Sequence, residues 1–177
     1  RLRLLTESDL PMTLVWRNRD HVRRWFLHSD PLTPEAHRAW FEEYQRRDND
    51  FLFIIEKLSA DGRTGTPVGQ TSLYNIDWSR GTGESGRVII AEKCRLAATA
   101  TCLAIDVGFS ELGLNEVYAD VYAHNLMCLA LCARCGFLRM SEQNGLVRLA
   151  IQRRDWLAAR DAATGNSDAT VAAIRAA

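Results

Sequence analysis

The stretch from Gly86 to Thr101 joins three features that together could hold an anion. An apolar strand ends near Ala91, a basic turn containing Arg95 follows, and small residues then open a helix. Small side chains let backbone N–H groups approach an anion, and the positive end of the helix dipole favours negative charge. The stretch therefore predicts a site for a phosphate or diphosphate group.

A second stretch that could do chemistry contains His124, Cys128, Cys132 and Cys135. A helix would place Cys128 and Cys132 on one face, which raises the question of a metal. Structural zinc ligands usually lie at short loop spacings, however, and Met127–Ala133 is apolar. The cysteine count of five is odd and no secretory signal accompanies it, which argues against a disulfide framework. We therefore predict buried thiols and no bound metal.

The elements that position these stretches follow from apolar periodicity and end signals. Thr33 before Pro34 predicts a helix start, and Gly113 predicts a left-handed end of a later helix. The segment 126–134 is apolar almost all round, which predicts a buried helix. Strands are expected at 1–6, 51–55, 67–74, 84–91, 115–122 and 147–152, and helices at 8–18, 22–26, 34–47, 98–112 and 126–134.

This order predicts a mixed α/β fold with a central sheet of six to seven strands and about four flanking helices. We expect one domain over residues 1–157 and a tail over 158–177 that is helical or disordered. The strand–helix–strand part around the helix at 98–112 should be a parallel crossover. Any ligand should then bind at the carboxyl ends of its two strands.

Composition narrows the class of protein. The 177 residues carry 22 Lys and Arg against 22 Asp and Glu, so the net charge is zero and predicts no nucleic-acid partner. No apolar run reaches the roughly 20 residues of a membrane span, and no basic-then-apolar leader opens the chain. We therefore expect a cytoplasmic enzyme or binding domain without a membrane partner.

Two motifs in the second half resemble motifs A and B of the GNAT superfamily of N-acetyltransferases. Arg95-x-x-Ala98-x-Ala100 is similar to the turn whose amides hold the pyrophosphate of coenzyme A, with Ala98 where glycine is usual. Asn125 followed by Cys135-Gly136-Phe137 is similar to the second motif. An alanine in the first helical turn is well tolerated, whereas a left-handed alanine would be strained by about 1–2 kcal/mol.

The first half resembles acetyltransferases that act on nucleotide-linked amino sugars, with the pseudaminic-acid pathway enzyme as the nearest type. Ribosomal-protein N-terminal acetyltransferases are similar more loosely. The resemblance covers about residues 2–151 and implies that the first helices form a wall of the acceptor pocket. The residues that it assigns to substrate binding are Trp16, Arg17, Asn18, His37 and Tyr74. From spacing alone, Trp16 and His37 fit a helical core better than a substrate site. Arg17, Arg23 and Arg24 could bind a diphosphate through paired hydrogen bonds, although a solvated face is expected for at least two of them.

The resemblance also implies catalytic roles. Glu84 would remove the amine proton directly or through water, with a paired surface carboxylate as the alternative. Cys132 stands where relatives carry a tyrosine, and its thiol, with an ordinary pKa near 8.5, could protonate the leaving thiolate. Tyr122 or water could do so instead, or no acid is needed. Contacts to coenzyme A would come from Val88, Ile89, Ile90, Arg95, Leu96, Ala97, Ala98, Thr99, Ala100, Thr101 and Asn125.

These implications give one expected function and two alternatives. The expected function is direct transfer of an acetyl group from acetyl-CoA to a primary amine of a small molecule, an amino sugar or nucleotide-linked amino sugar. A homodimer is the assembly that we consider. The alternatives are a protein N-terminal or lysine acetyltransferase, and a catalytically silent domain that binds coenzyme A or a metabolite.

Overall fold

In the computed structural model, which describes residues 1–26, 28–92 and 96–160, one mixed sheet organises the chain. Its strands are β1 (Leu2–Leu4), β2 (Phe51–Leu58), β3 (Gly65–Asp77), β4 (Thr82–Ile90), β5 (Glu116–Tyr122), β6 (Leu138–Gln143) and β7 (Leu146–Gln152). Their order across the sheet is β1-β2-β3-β4-β5-β7-β6. All neighbours in this sheet are antiparallel except β4 and β5, which are parallel. The predicted mixed α/β fold is confirmed.

The helices lie on both faces of this sheet. They are α1 (Leu10–Arg17), preceded by a 3-10 turn at Glu7–Asp9, then α2 (Asp20–Arg23), α3 (Pro34–Tyr44), α4 (Ala97–Ser110) and α5 (Leu126–Arg134). Residues 153–160 are also helical. Five of these segments correspond to the helices expected at 8–18, 22–26, 34–47, 98–112 and 126–134. The 3-10 turn and the helix at 153–160 are additional, so the helical segments exceed the four or so expected to flank the sheet. None of the described helices is long and apolar enough to cross a bilayer.

Each face of the sheet has its own core. On one face, Ile105 and Phe109 of α4 are fully buried against Leu73 of β3 and Val117 of β5. On the other face, Phe41 of α3 joins a smaller cluster with residues of β2. Truncating a buried aromatic such as Phe109 typically costs about 3–5 kcal/mol. The second face is therefore packed near β2, while its part at β4 and β5 carries half-exposed side chains.

Two local end signals of the sequence are confirmed. The Thr33 hydroxyl accepts a hydrogen bond of 3.1 Å from the amide of Ala36, and Pro34 is the first helical residue of α3. Gly113 follows α4 with a φ of +69°, in the left-handed region that favours glycine. Both signals act within four residues, so the surrounding fold has little influence on them.

The interpretation of α5 as a helix buried all round is wrong. Leu126 is 72% exposed and Met127 is 85% exposed, and Cys132 is the buried residue of this helix. The helix packs only one stripe against the sheet and α4, which a uniformly apolar sequence does not indicate.

Other boundaries also differ from the expectations. The edge strand β6 was not expected, because its six residues are all exposed and mostly polar. Helix α3 ends at Tyr44, three residues earlier than expected, and α2 ends at Arg23. Of the expected tail, residues 158–160 are helical, and the rest lies outside the described residues.

Arg3 connects β1 to both the start of the helical region and β2, and this predicts a pH-dependent stability. Its guanidinium donates to Asp9 at 2.7 and 2.8 Å and to Glu56 at 2.7 Å. These hydrogen bonds are the main cause that lowers the pKa of both carboxyls below their ordinary values of 3.8 and 4.5. Carboxyls with a lowered pKa stabilise the fold above those values and lose this contribution as the pH falls through the folded-state pKa.

We expect Arg3→Gln to lower the free energy of unfolding by about 1–3 kcal/mol at pH 7, because two largely buried carboxylates lose charged donors. The difference from the wild type should shrink as the pH falls below about 4, where both carboxyls become protonated. Urea unfolding of both proteins at pH 7 and pH 3 measures this difference in the free energy of unfolding. Arg46→Gln, at an exposed pair with Glu43, should change stability by less than about 0.5 kcal/mol. If the free energies of unfolding of the wild type and Arg3→Gln differed equally at pH 7 and pH 3, the predicted dependence of stability on carboxyl protonation would be contradicted.

Candidate active site

The parallel strands β4 and β5 separate soon after they begin. They are paired at Thr82 with Glu116, at Gly83 with Val117 and at Glu84 with Tyr118. Beyond these pairs β4 continues to Ile90 and β5 to Tyr122 without pairing to each other. A cleft therefore opens between their carboxyl ends, with an unpaired backbone edge of β4 along one side.

A bulge in β4 coincides with this separation. Gln70 of β3 is opposite Ile89, whereas Ser72 is opposite Gly86, so β4 has one residue more than β3 over this interval. Within it Arg87 adopts a φ of +51°, and such an extra residue bends a strand and increases its twist. Gly69 lies beside the bulge, and a Cβ there would be 2.2 Å from the carbonyl oxygen of Ile89. The close approach of β3 and β4 thus requires glycine at 69.

Helix α4 begins next to the end of β4 with backbone amides that its own turn does not use. Leu96 is its N-cap and has no side-chain capping bond, and the amide of Ala100 donates to the carbonyl of Leu96 at 2.8 Å. The amides of Ala97, Ala98 and Thr99 come before this bond and are free to bind an anion. Ala98 has an ordinary helical conformation, so the tolerated placement is confirmed.

The other residues expected to contact coenzyme A differ in what they can offer. Ile89, Ala100 and Thr101 are buried, so only their backbone could contact a ligand, while Val88 and Ile90 are half-buried at the edge of the cleft. Leu96 is also half-buried, and Arg95 lies outside the described residues.

Asn125 is the N-cap of α5. Its side-chain oxygen accepts a hydrogen bond of 3.1 Å from the amide of Cys128. Asn125 therefore caps α5, and its predicted contact with coenzyme A stays a prediction. One carboxamide can fill both roles, because its NH₂ group is not used by the cap.

Glu84 is held in place where the two strands separate. The Tyr74 hydroxyl donates to its Oε1 at 2.6 Å, and the Asn75 amide donates to its Oε2 at 2.8 Å. Burial and then the negative charge of Glu84 raise the pKa of Tyr74, so its hydroxyl stays a donor. Glu84 and Tyr74 are opposite each other in the β3–β4 register. Two hydrogen bonds therefore fix the Glu84 side chain at the inner end of the cleft, and its role as a base stays a prediction.

Arg87 and Asp50 extend this group, and sequence reasoning missed both. The Arg87 guanidinium carbon lies 3.9 Å from the centre of the Tyr74 ring, and the guanidinium donates to Asp50 at 2.7 Å. Asp50 is buried and lies just before β2. An arginine directly before the apolar run Val88–Ile90 was the available signal, but its partner is 37 residues away in the sequence.

Three residues assigned to substrate binding have structural contacts instead. Trp16 is buried, and the Asn18 side chain exchanges two hydrogen bonds of 2.8 Å with the backbone of Leu32. The His37 ring is 3.0 Å from the Thr13 hydroxyl, and burial together with the charge of Arg17 lowers the pKa of His37. These side chains fix α1 against α3 and the following loop, and a contact with substrate stays a prediction for them.

The segment that follows α1 and extends to Trp25 contacts the chain just beyond both separated strands. The Arg19 guanidinium donates to the carbonyl of Ala91, just after β4, at 2.8 Å. The Trp25 ring lies 5.4 Å from the ring of His124, just after β5. This segment therefore contacts the carboxyl ends of both separated strands and forms a wall of the cleft.

The two candidate proton donors differ in position. Cys132 is 5% exposed within the core cluster, and a hydrogen bond with Cys128 and burial raise the pKa of its thiol. The expectation of a thiol with an ordinary pKa is therefore wrong, because the side chain points into the core. Tyr122 is half-buried at the end of β5, where the cleft opens, so it remains a candidate donor. Among the described residues, no group of three or more His, Cys, Asp or Glu could hold a metal.

Comparison with known proteins agrees with this geometry. The profile of the acetyltransferase (GNAT) domain matches residues 1–138. The probable N-acetyltransferase YjcK of Bacillus subtilis is 26% identical over 144 residues, which are 75% of this chain and 76% of YjcK.

Solved structures share the fold at lower identity. A spermidine N-acetyltransferase from Vibrio cholerae in complex with CoA and spermine has a TM-score of 0.77 and 20% identity, covering 89% of this chain and 97% of the other. A dodecameric structure of spermidine N-acetyltransferase from the same organism has a TM-score of 0.70 and 21% identity, covering 89% and 95%.

We expect Gly69→Ala to disturb the cleft as well as the fold. The added methyl group would meet the Ile89 carbonyl, so β4 must shift, at a cost of about 1–3 kcal/mol in the free energy of unfolding. Because the shift moves the strand edge that lines the cleft, the dissociation constant of coenzyme A should rise several-fold. Urea unfolding and calorimetry measure the two effects. In the control Gly62→Ala, the methyl group meets open space at a φ of +70°, so stability alone should fall, by about 1 kcal/mol.

Proposed function

The chain belongs to the GNAT family of N-acetyltransferases, whose members use acetyl-CoA, and from this premise we propose that it acetylates a primary amine of a small molecule in the cleft between β4 and β5. The observation that carries the proposal is the separation of these parallel strands beside the uncapped start of α4. One side of the opening offers backbone amides for phosphates and for the acyl group. Glu84 lies at the inner end of the opening, in the last pair of β4 with β5.

The described residues fit coenzyme A on the α4 side. The amides of Ala97, Ala98 and Thr99 would bind its pyrophosphate at the positive end of the helix dipole. The unpaired backbone edge at Val88–Ile90 would hydrogen-bond its extended arm and polarise the thioester carbonyl. When bound, acetyl-CoA supplies an activated acyl group with a thiolate leaving group.

Glu84 would act as the base on the acceptor side. The amine must lose a proton to attack the carbonyl carbon, and Glu84 would accept that proton directly or through one water. Tyr74 and Asn75 fix the carboxylate by hydrogen bonds and leave lone pairs free for this proton. As the new C–N bond forms, the C–S bond breaks, and the thiolate takes a proton from Tyr122 or water. Holding both reactants in one cleft supplies much of the acceleration.

For the acceptor we propose an amino sugar, free or linked to a nucleotide. The wall from α1 to α2 offers aromatic rings and guanidinium groups, which suit sugar rings and phosphates. The second candidate is a polyamine, because the similar Vibrio cholerae structures are spermidine N-acetyltransferases. Steady thiol release with glucosamine, glucosamine 6-phosphate and spermidine compares the two classes.

We expect Glu84→Gln to lower kcat by about 10²–10⁴-fold, the usual contribution of a general base, with an unchanged dissociation constant for acetyl-CoA. Thiol release and calorimetry measure these quantities. Glu43→Gln is the matched control, since Glu43 is exposed on α3 and pairs with Arg46; its kcat should stay within about twofold. Full activity of the Glu84→Gln variant would exclude the base role. No binding of acetyl-CoA at millimolar concentration would overturn the proposed function as a whole.

A further inference from the structure

Arg17 is a buried cation with an incomplete set of partners. Its side chain is 9% exposed at the end of α1. One terminal nitrogen donates to the carbonyl of His28 at 2.5 Å, and the guanidinium carbon lies 3.8 Å from the centre of the Phe26 ring. The other terminal nitrogen, Nη1, is fully buried and has no hydrogen-bond partner among the described residues.

Burying the Arg17 guanidinium in this way costs free energy unless a negative charge lies beside it. An arginine buried in a protein is normally paired with a carboxylate, because a charge removed from water is stabilised by an opposite charge and by hydrogen bonds. Within the described part of the chain, Arg17 has no ion pair. Burial and the positive charge of Arg23 both lower the pKa of Arg17. The free donor and the missing counter-charge therefore indicate the same thing, a bound anion.

The surroundings add positive charge rather than removing it. Segment 16–24 contains Arg17, Arg19, Arg23 and Arg24 and one acidic residue, Asp20. The Asp20 carboxylate already accepts a hydrogen bond of 2.9 Å from Arg23. An anion near Arg17 would therefore lie in a positive field, whereas a polycation would be repelled there.

Arg17 also lies beside the cleft. Arg19, two residues further along the chain, contacts the carbonyl that follows β4, and Trp25 contacts the ring that follows β5. The wall that carries Arg17 thus reaches the residues that follow β4 and β5, whereas the phosphates of coenzyme A are proposed to bind at the start of α4. An anion on this wall belongs to the acceptor.

We propose that Arg17 is a specificity residue that binds an anionic oxygen group of the acceptor, a phosphate or a carboxylate, through Nη1. The inference rests on the proposed function and deepens it. Guanidinium groups favour such planar or tetrahedral oxygen groups, because they donate two parallel hydrogen bonds. Amino sugars that carry a phosphate or diphosphate are then better acceptors than neutral amino sugars, and polyamines are poor ones.

The experiment compares two amines that differ by one phosphate, glucosamine and glucosamine 6-phosphate, with four proteins: wild type, Arg17→Gln, Arg17→Lys and Arg24→Gln. The wild type should have at least a tenfold higher kcat/KM for the phosphorylated amine. Arg17→Gln should lose this preference, so that its kcat/KM for glucosamine 6-phosphate falls to about its own value for glucosamine. Arg17→Lys keeps the charge but loses the two parallel donors, so it should keep part of the preference for the phosphorylated amine. Arg24 is exposed, so its variant should keep the full preference.

A second experiment measures anion binding and does not depend on catalysis. Inorganic pyrophosphate at millimolar concentration should raise the Tm of the wild-type protein saturated with coenzyme A, and this rise should be lost in Arg17→Gln and partly kept in Arg17→Lys. No rise in the wild type, or an equal rise in all four proteins, would overturn the inference. If Arg17→Gln does not fold, Arg17→Lys and the wild type decide the question.

The remaining outcomes separate the inference from its premise. If Arg17→Gln weakens acetyl-CoA binding tenfold or more, the anion belongs to the coenzyme and the acceptor assignment is wrong. If acetyl-CoA binds normally but the two amines react equally well, the inference fails and the proposed function stands. If acetyl-CoA does not bind at all, the proposed function fails, and the acceptor assignment of Arg17 fails with it.

Discussion

The three-pair contact between β4 and β5 is the constraint on which the rest of the site depends. A parallel pair in the middle of a sheet normally satisfies its backbone groups along its length. Here the bulge at Arg87 turns β4 away after Glu84, so backbone donors remain available in the interior of the fold. The opening is stable because α4 and α5 bury a continuous core on one face, where Phe109 and Val117 are fully buried.

The two faces of the sheet therefore differ: one packs against helices, and the other carries the polar contacts of the site. Leu73, Val117 and Ala119 alternate onto the face covered by α4 and α5, whereas Tyr74 and Glu84 alternate onto the other. On that second face a chain of contacts runs from Asp50 through Arg87 and Tyr74 to Glu84. The same bulge that opens the cleft places Arg87 over Tyr74, so the position of the Glu84 carboxylate depends on the geometry that exposes the strand edge.

Sequence alone predicted the features that short segments determine. The cap at Thr33, the left-handed Gly113 and the helical Ala98 each depend on neighbours within a few residues. It failed where tertiary packing decides, as with the exposed residues of α5, the burial of Cys132 and the edge strand β6. The contact of Arg87 with Asp50, 37 residues away, could not be predicted, because apolar periodicity carries no information on which polar groups meet across the sheet.

Net charge also misleads when it is averaged over the chain. The formal charge of the whole chain is zero, yet the segment from Trp16 to Arg24 contains four arginines and one acidic residue. The fold is shared with spermidine N-acetyltransferases at about 20% identity, and a shared fold does not fix the charges of individual segments. The charges around α1 and α2 can differ without affecting the opening between β4 and β5. Acceptor choice is therefore better inferred from the charge balance around Arg17 than from the overall likeness of the fold.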